Sequence, residues 1–125
     1  MIFIDYEKAI RNLRAAVEEA ESPLEIDGAI KRFELCYELA WKLIKEHLAY
    51  FGVSCKNPRD CFKAAKENEM IVEEISWLQM IDDRNQLVHC YTYEQSREIY
   101  QKIKTAHTGS LYQFYKVIRK NYRKG

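Results

Sequence analysis

Apolar residues recur along this chain every three or four positions and nowhere in a sustained period of two, which predicts helices and no strand of useful length. Asp5 reads as the N-cap of a first helix running to about Glu21, with Ala9, Leu13, Ala16 and Ala20 on one side. Ser22-Pro23-Leu24-Glu25 combines the spacing of a capping box with a proline suited to the first helical position. The longest periodic run follows: Ile26, Ile30, Phe33, Tyr37, Ala40, Ile44, Leu48 and Phe51 on one face, Lys31, Glu34, Glu38, Lys42 and Lys45 opposite. Leu35, Cys36, Leu39, Trp41 and Leu43 widen the apolar side, so this helix needs several packing neighbours, and Gly52 ends it. Asn57-Pro58 opens a short third helix to about Glu67, and a fourth runs from about Ile71 to His89. Thr92-Tyr93-Glu94-Gln95, a second capping-box pattern, starts a fifth through Ile99, Ile103, Leu111, Phe114 and Ile118, with Gly109 placed to bend it. The architecture predicted is all-α: a single domain over residues 1–125, built as a five-helix up-and-down antiparallel bundle with short connections.

The fourth helix breaks the pattern. On a 3.6-residue period Ile71, Ile75, Leu78, Asp82, Asn85 and His89 share one face, apolar at first and polar two turns later. The neighbouring line of Trp77, Ile81, Arg84 and Val88 carries a permanent cation. Burying such groups costs several kcal/mol each unless they are paired. The segment Asp82-Asp83-Arg84-Asn85-Gln86-Leu87-Val88-His89-Cys90-Tyr91 is therefore where function is sought.

Composition changes this picture little. Four glycines and two prolines in 125 residues favour a few long helices. The net charge of +1 hides an asymmetry: no acidic residue follows Glu98, while Lys102, Lys104, Lys116, Arg119, Lys120, Arg123 and Lys124 do. No segment approaches the roughly 18–20 apolar residues of a membrane span, and Met1-Ile2-Phe3-Ile4 running into Asp5 does not read as a signal peptide. Cys36, Cys55, Cys61 and Cys90 show no CxxC spacing and no histidine cluster. The expectation is no metal, no cofactor, no disulfide framework, and reduced thiols in a cytoplasmic protein.

The residue types in the polar segment suit phosphodiester chemistry. An imidazole takes and gives protons near neutral pH, and a guanidinium matches phosphate oxygens and stabilises the charge of a pentavalent transition state. Asn85, one turn before His89, is placed to orient the imidazole or hold a ribose hydroxyl, with Asp82 and Asp83 as supporting polar groups. Arg84 and His89 stand about 140° apart around an ideal helix, so they converge on one phosphate only where the helix ends or distorts. The Thr92 cap implies such an end at residues 89–91.

Arg84-Asn85-(three residues)-His89-Cys90-Tyr91 resembles the Arg-x4-6-His motif of HEPN domains, in the variant followed by x-Tyr. Arg32-Phe33-Glu34-Leu35-Cys36-Tyr37-Glu38-Leu39-Ala40-Trp41-Lys42 resembles the second helix of one HEPN branch, the nucleotidyltransferase substrate-binding proteins paired with minimal nucleotidyltransferases. The resemblance covers essentially the whole chain. It implies a five-helix bundle that dimerises with the two motifs facing each other. It implies a metal-independent endoribonuclease with Arg84 and His89 catalytic, in a toxin–antitoxin module; the residues themselves, acid–base and charge-stabilising with no carboxylate pair for two metals, then predict a 2′,3′-cyclic phosphate product. It also implies a small nucleotidyltransferase partner that silences the site, in some members by adenylylating the tyrosine that Tyr91 matches. Other members of the branch act as binding subunits without known activity, so an inert motif in a dimeric binding subunit is the alternative.

Plainer readings stand beside these. Arg84 with an aspartate and a capping histidine forms a structural pair as readily as a site, and Tyr91 is one of nine tyrosines. His47 and His107 have no chemical company and read as structural or exposed. The basic end at about 112–125 (Tyr112, Phe114, Tyr115, Lys116, Arg119, Lys120, Tyr122, Arg123) fits a phosphate backbone, an acidic partner or a frayed terminus.

Overall fold

The structure, a computed structural model, describes residues 1–89 and 92–124, with side chains through 122. Helix α1 (Ile2–Glu19) starts earlier than the sequence suggests, so Asp5 lies in its first turn, where a carboxylate faces the positive end of the helix dipole. Helix α2 (Pro23–Tyr50) is entered through the predicted capping box: Glu25 N–H donates to Ser22 Oγ at 3.2 Å and Ser22 N–H to Glu25 Oε1 at 2.9 Å. Gly52, at φ 78°, reverses the chain in the left-handed region. Helix α3 (Pro58–Glu67) is capped by Asn57, whose Oδ1 accepts from Asp60 N–H at 2.9 Å. Helix α4 (Glu74–Val88) begins three residues after Ile71, which is buried in the connection before it.

The Thr92 capping box opens α5 (Tyr93–Lys102), which continues without a break through a π-helical turn (Ile103–His107) into α6 (Thr108–Lys124). These three segments form one rod, the fifth of the bundle. The irregularity expected at Gly109 falls just ahead of it, where Thr108 N–H and Oγ1–H both reach Ile103 O, the hydroxyl at 2.7 Å. The extra residue in that turn shifts the helix phase and carries His107 inward.

Helix α1 packs along α2 and α6, and α3 leans on α2 and α4. An aromatic spine crosses these layers, with centroids 5.5 Å apart for Tyr6–Phe114, 5.7 Å for Phe114–Trp77, 4.9 Å for Trp77–Phe62 and 6.0 Å for Phe62–Tyr37. Edge-to-face pairs of this kind add about 0.5–1.5 kcal/mol each beyond their buried area. Tyr6 Oη–H donates to Leu111 O at 2.6 Å, which satisfies the one polar atom of a fully buried ring.

Two expectations are corrected. Cys55 and Cys61 form a disulfide across the α2–α3 connection, where the spacing of the cysteines suggests reduced thiols throughout. A separation of six residues is not a spacing read as a framework, but the turn at Asn57-Pro58 folds the two cysteines together. Secondly, the polar stripe of α4 does not enter the core. The helix packs through Trp77, Met80, Ile81, Asp83 and Leu87, leaving Ile75, Asp82, Asn85 and His89 exposed. Ile71 is not helical, so a stripe phased on it is rotated away from the buried face. Among the described residues no helix is long and apolar enough to cross a membrane.

Candidate functional site

A cleft of about 440 Å³ opens where α2, the start of α3 and the second half of α4 meet. Tyr37, Glu38 and Trp41 form its α2 wall, Asn57, Pro58 and Arg59 its α3 wall, and Ile81, Arg84 and Asn85 its α4 wall. The geometry follows from local structure. Residues 37, 38 and 41 lie one turn apart on α2, Asn57-Pro58 fixes the entry to α3, and 81, 84 and 85 form one face of α4.

Arg84 is the cation at the centre. Its Nη2 donates to Glu38 Oε1 at 2.9 Å, its guanidinium carbon lies 5.8 Å from the Tyr37 ring centroid, and its buried Nε has no hydrogen-bond partner. Both oxygens of Glu38 are in contact, because its Oε2 accepts from Trp41 Nε1–H at 3.1 Å. Burial pushes the Tyr37 phenol up to about 12, against the lowering pull of Arg84. Asp82 reaches Arg59 at 4.0 Å, an exposed ion pair across the mouth. Asn85 is exposed on the cleft wall. His89 is the C-cap of α4 at φ −87° and ψ 174°, so the helix does end where convergence requires it. Its ring is exposed and stands beyond the cleft lining. The structure thus brings Arg84 and Asn85 into one cleft and puts His89 just past it at the helix end. Cys90 and Tyr91 lie outside the described residues.

A cation held beside an aromatic wall, next to a helix end that exposes a histidine, sits on a fold shared by other proteins. Residues 2–120 match the family model described as "Nucleotidyltransferase substrate binding protein like". The chain belongs to that family. No protein of curated function matches it. A crystal structure from Thermus thermophilus is 30% identical, with a TM-score of 0.80 over 87% of this chain and 94% of that one. A tri-AMPylated Shewanella oneidensis HEPN toxin in complex with MNT antitoxin is 19% identical, with a TM-score of 0.79 over 94% and 96%. A Haemophilus influenzae structure, described as revealing the fold of a substrate binding domain of a nucleotidyltransferase, is 23% identical, with a TM-score of 0.70 over 94% of both chains. The last two share the fold, which is the helical bundle predicted.

In this substrate-binding family member the two aspartates of the polar segment do different things. Asp82 stays at the cleft mouth. Asp83 turns into the core, 3% exposed, where His107 Nε2 lies 2.6 Å from its Oδ2 and Lys102 Nζ 3.4 Å from its Oδ1. His107 is 1% exposed and stacks on Phe33, so of the two readings, structural or exposed, the structural one holds, and Asp83 gives the ring the company that the sequence does not reveal. Burial lowers its pKa from 6.5, and the contact with Asp83 pulls the other way. The missed signal is the gap in the apolar period between Ile103 and Leu111, whose midpoint is His107. Periodicity places Glu38 on a solvated face; its role has no local signal, because its partner is 46 residues away. The basic end is not frayed along Tyr112–Ile118 either, since Phe114, Tyr115 and Ile118 are buried.

Proposed function

We propose that this chain is the HEPN partner of a minimal nucleotidyltransferase in a toxin–antitoxin module. Its Arg84 and His89 form an RNA-cleaving site under that partner's control. Family membership supports the partner, and the fold shared with a HEPN toxin bound to its antitoxin supports the module. The observation that carries the site is Arg84, presented to an aromatic-lined cleft beside the helix end at His89.

In this reading the His89 imidazole takes the proton of a ribose 2′-hydroxyl, whose oxygen attacks the adjacent phosphorus. The P–O5′ bond then breaks and the His89 imidazolium returns the proton to the leaving 5′-oxygen, giving a 2′,3′-cyclic phosphate. The Arg84 guanidinium stabilises the charge gathering on the phosphorane oxygens, and Asn85 positions the strand. The exposed polar stripe of α4, with Ile75 and Val88 also uncovered, fits a homodimer that pairs two such helix ends, and light scattering at micromolar concentration reads that state. Tyr91, two residues past His89, is the candidate acceptor for adenylate. A bulky anion there would compete with RNA phosphate for Arg84. Mass gain with the nucleotidyltransferase and ATP in the wild type but not in Tyr91→Phe tests this.

The main experiment is cleavage of total RNA by the purified protein. Cleavage that survives EDTA, leaves cyclic phosphate ends and vanishes in His89→Ala is expected. Activity that needs a divalent ion, or that His89→Ala retains, overturns the mechanism. One observation favours a second reading, a binding subunit with an inert motif: Arg84 is already neutralised by Glu38 at 2.9 Å. RNA left intact by both the wild type and Glu38→Gln, with nucleotidyltransferase binding retained, selects that reading.

A further inference from the structure

A second cationic site lies away from the Arg84 cleft, between α1 and α6. Glu7, Ile10, Arg11 and Arg14 of α1 and Tyr112, Tyr115 and Arg119 of α6 enclose a concavity of about 150 Å³. Arg14 lies over the Tyr112 ring, its guanidinium carbon 3.6 Å from the centroid, and Lys116 Nζ approaches the same ring at 5.0 Å. Arg119 sits 5.3 Å from the Tyr115 centroid. The single carboxylate in the lining, Glu7, accepts the Tyr115 hydroxyl. Among the described residues none of Arg11, Arg14, Lys116 and Arg119 has a carboxylate within 4.0 Å. Arg59, Arg84 and Arg97, which also reach across to a neighbouring helix, are each paired with one.

Four cations on two helices, three of them held against aromatic rings and, among the described residues, none with a carboxylate within 4.0 Å, outnumber the one carboxylate of the lining and make a preorganised anion site. We propose that the α1–α6 groove binds the phosphodiester backbone of an RNA strand, with Arg11, Arg14 and Arg119 contacting phosphate oxygens. Two features favour a polymer over a free nucleotide. The concavity has the volume of only about five waters, well below the roughly 300 Å³ at which pockets for whole small ligands begin. The charge also continues past it along α6 through Lys116 and Lys120, where no acidic residue interrupts. The groove extends the proposed RNA-cleaving reading, on which it rests, by supplying a strand-holding surface outside the cleft.

The test is fluorescence anisotropy of a labelled, 2′-O-methylated single-stranded RNA, which binds but offers no 2′-hydroxyl for attack. Arg14→Ala and Arg119→Ala should each weaken binding about tenfold. Each should also flatten the slope of log affinity against log salt by about 0.7 for every phosphate no longer neutralised. Arg14→Lys should recover most of the affinity, and circular dichroism should show every variant folded. Undiminished affinity in the alanine variants overturns the groove, as does displacement by polyglutamate as effective as by unlabelled RNA, which marks an acidic-protein dock. Binding of ATP that excludes RNA overturns the polymer reading. The two proposals fail separately. Groove-dependent binding with no cleavage of natural RNA by any variant leaves the groove and removes the nuclease, and Arg84-dependent cleavage with groove variants unchanged does the reverse.

Discussion

Arg84 on α4 and Glu38 on α2 face each other at 2.9 Å across the candidate cleft, a link between residues 46 positions apart. Both side chains keep about a third of their surface, 29% and 33%, so water screens the pair and its contribution to stability is about 0–1 kcal/mol. Its effect on chemistry is larger, because a guanidinium neutralised by a carboxylate attracts phosphate less. Glu38→Gln should leave the urea midpoint nearly unchanged while tightening RNA binding and raising kcat/KM. A clear fall in the midpoint with unaltered RNA affinity would make the pair a structural tie.

Asp83 and His107 form the opposite kind of pair, 3% and 1% exposed and only 2.6 Å apart. Truncation with Asp83→Ala leaves an imidazole N–H unpaired in the core and should cost about 1.5–3 kcal/mol. The pH dependence has a definite sign. Burial lowers the His107 pKa below 6.5, so as pH drops below 6.5 the unfolded chain takes up the proton before the folded one does. Stability from this group is complete above pH 6.5 and falls as pH drops through the lowered value. Urea midpoints at pH 7.5 and 5.5 should therefore differ in the wild type and differ less in His107→Gln. His47, also lowered by burial, acts in the same direction.

How much of this is legible in the sequence depends on the range of the interaction. Ser22–Glu25, Asn57–Asp60 and Thr92–Gln95 are contacts within four residues, and each reads as a cap. The phase of α4 does not, because Ile71 looks like the first residue of its stripe and lies outside the helix. Arg84 and Asn85 stand out because a cation and an amide near a helix end are locally odd, while their cleft partners Glu38, Trp41 and Arg59 belong to other elements. The π-helical turn is also out of reach, since Thr108 binds Ile103 O in a pattern that no residue type announces.

Thr92 sets the start of α5 immediately after the segment that follows His89. Its Oγ1 accepts Gln95 N–H at 3.1 Å, and its own N–H donates to Gln95 Oε1 at 2.9 Å. Loss of such a cap costs about 1 kcal/mol. Thr92→Ala should lower Tm by several degrees, whereas Thr92→Ser should keep it. Equal Tm values for all three proteins would show that packing of Ser96, Ile99 and Tyr100 holds the helix start without the cap.

The Cys55–Cys61 bridge encloses Asn57, Pro58 and Arg59, the α3 wall of the cleft. Closing so short a loop restricts the unfolded chain by about 2 kcal/mol. Reduction should therefore lower the unfolding free energy by that amount, and Cys61→Ser should mimic it. The effect should be local as well as global. Hydrogen exchange at residues 57–60 should quicken on reduction, while the buried Phe33–Leu48 core of α2 stays protected. Alkylation of the unfolded chain checks the bond itself: Cys55 and Cys61 should react only after reduction, and Cys36 with or without it. Modification of Cys55 and Cys61 in unreduced protein would show the bond absent. The cleft wall would then rest on the Asn57 cap and on Phe62 packed against Trp77 at 4.9 Å.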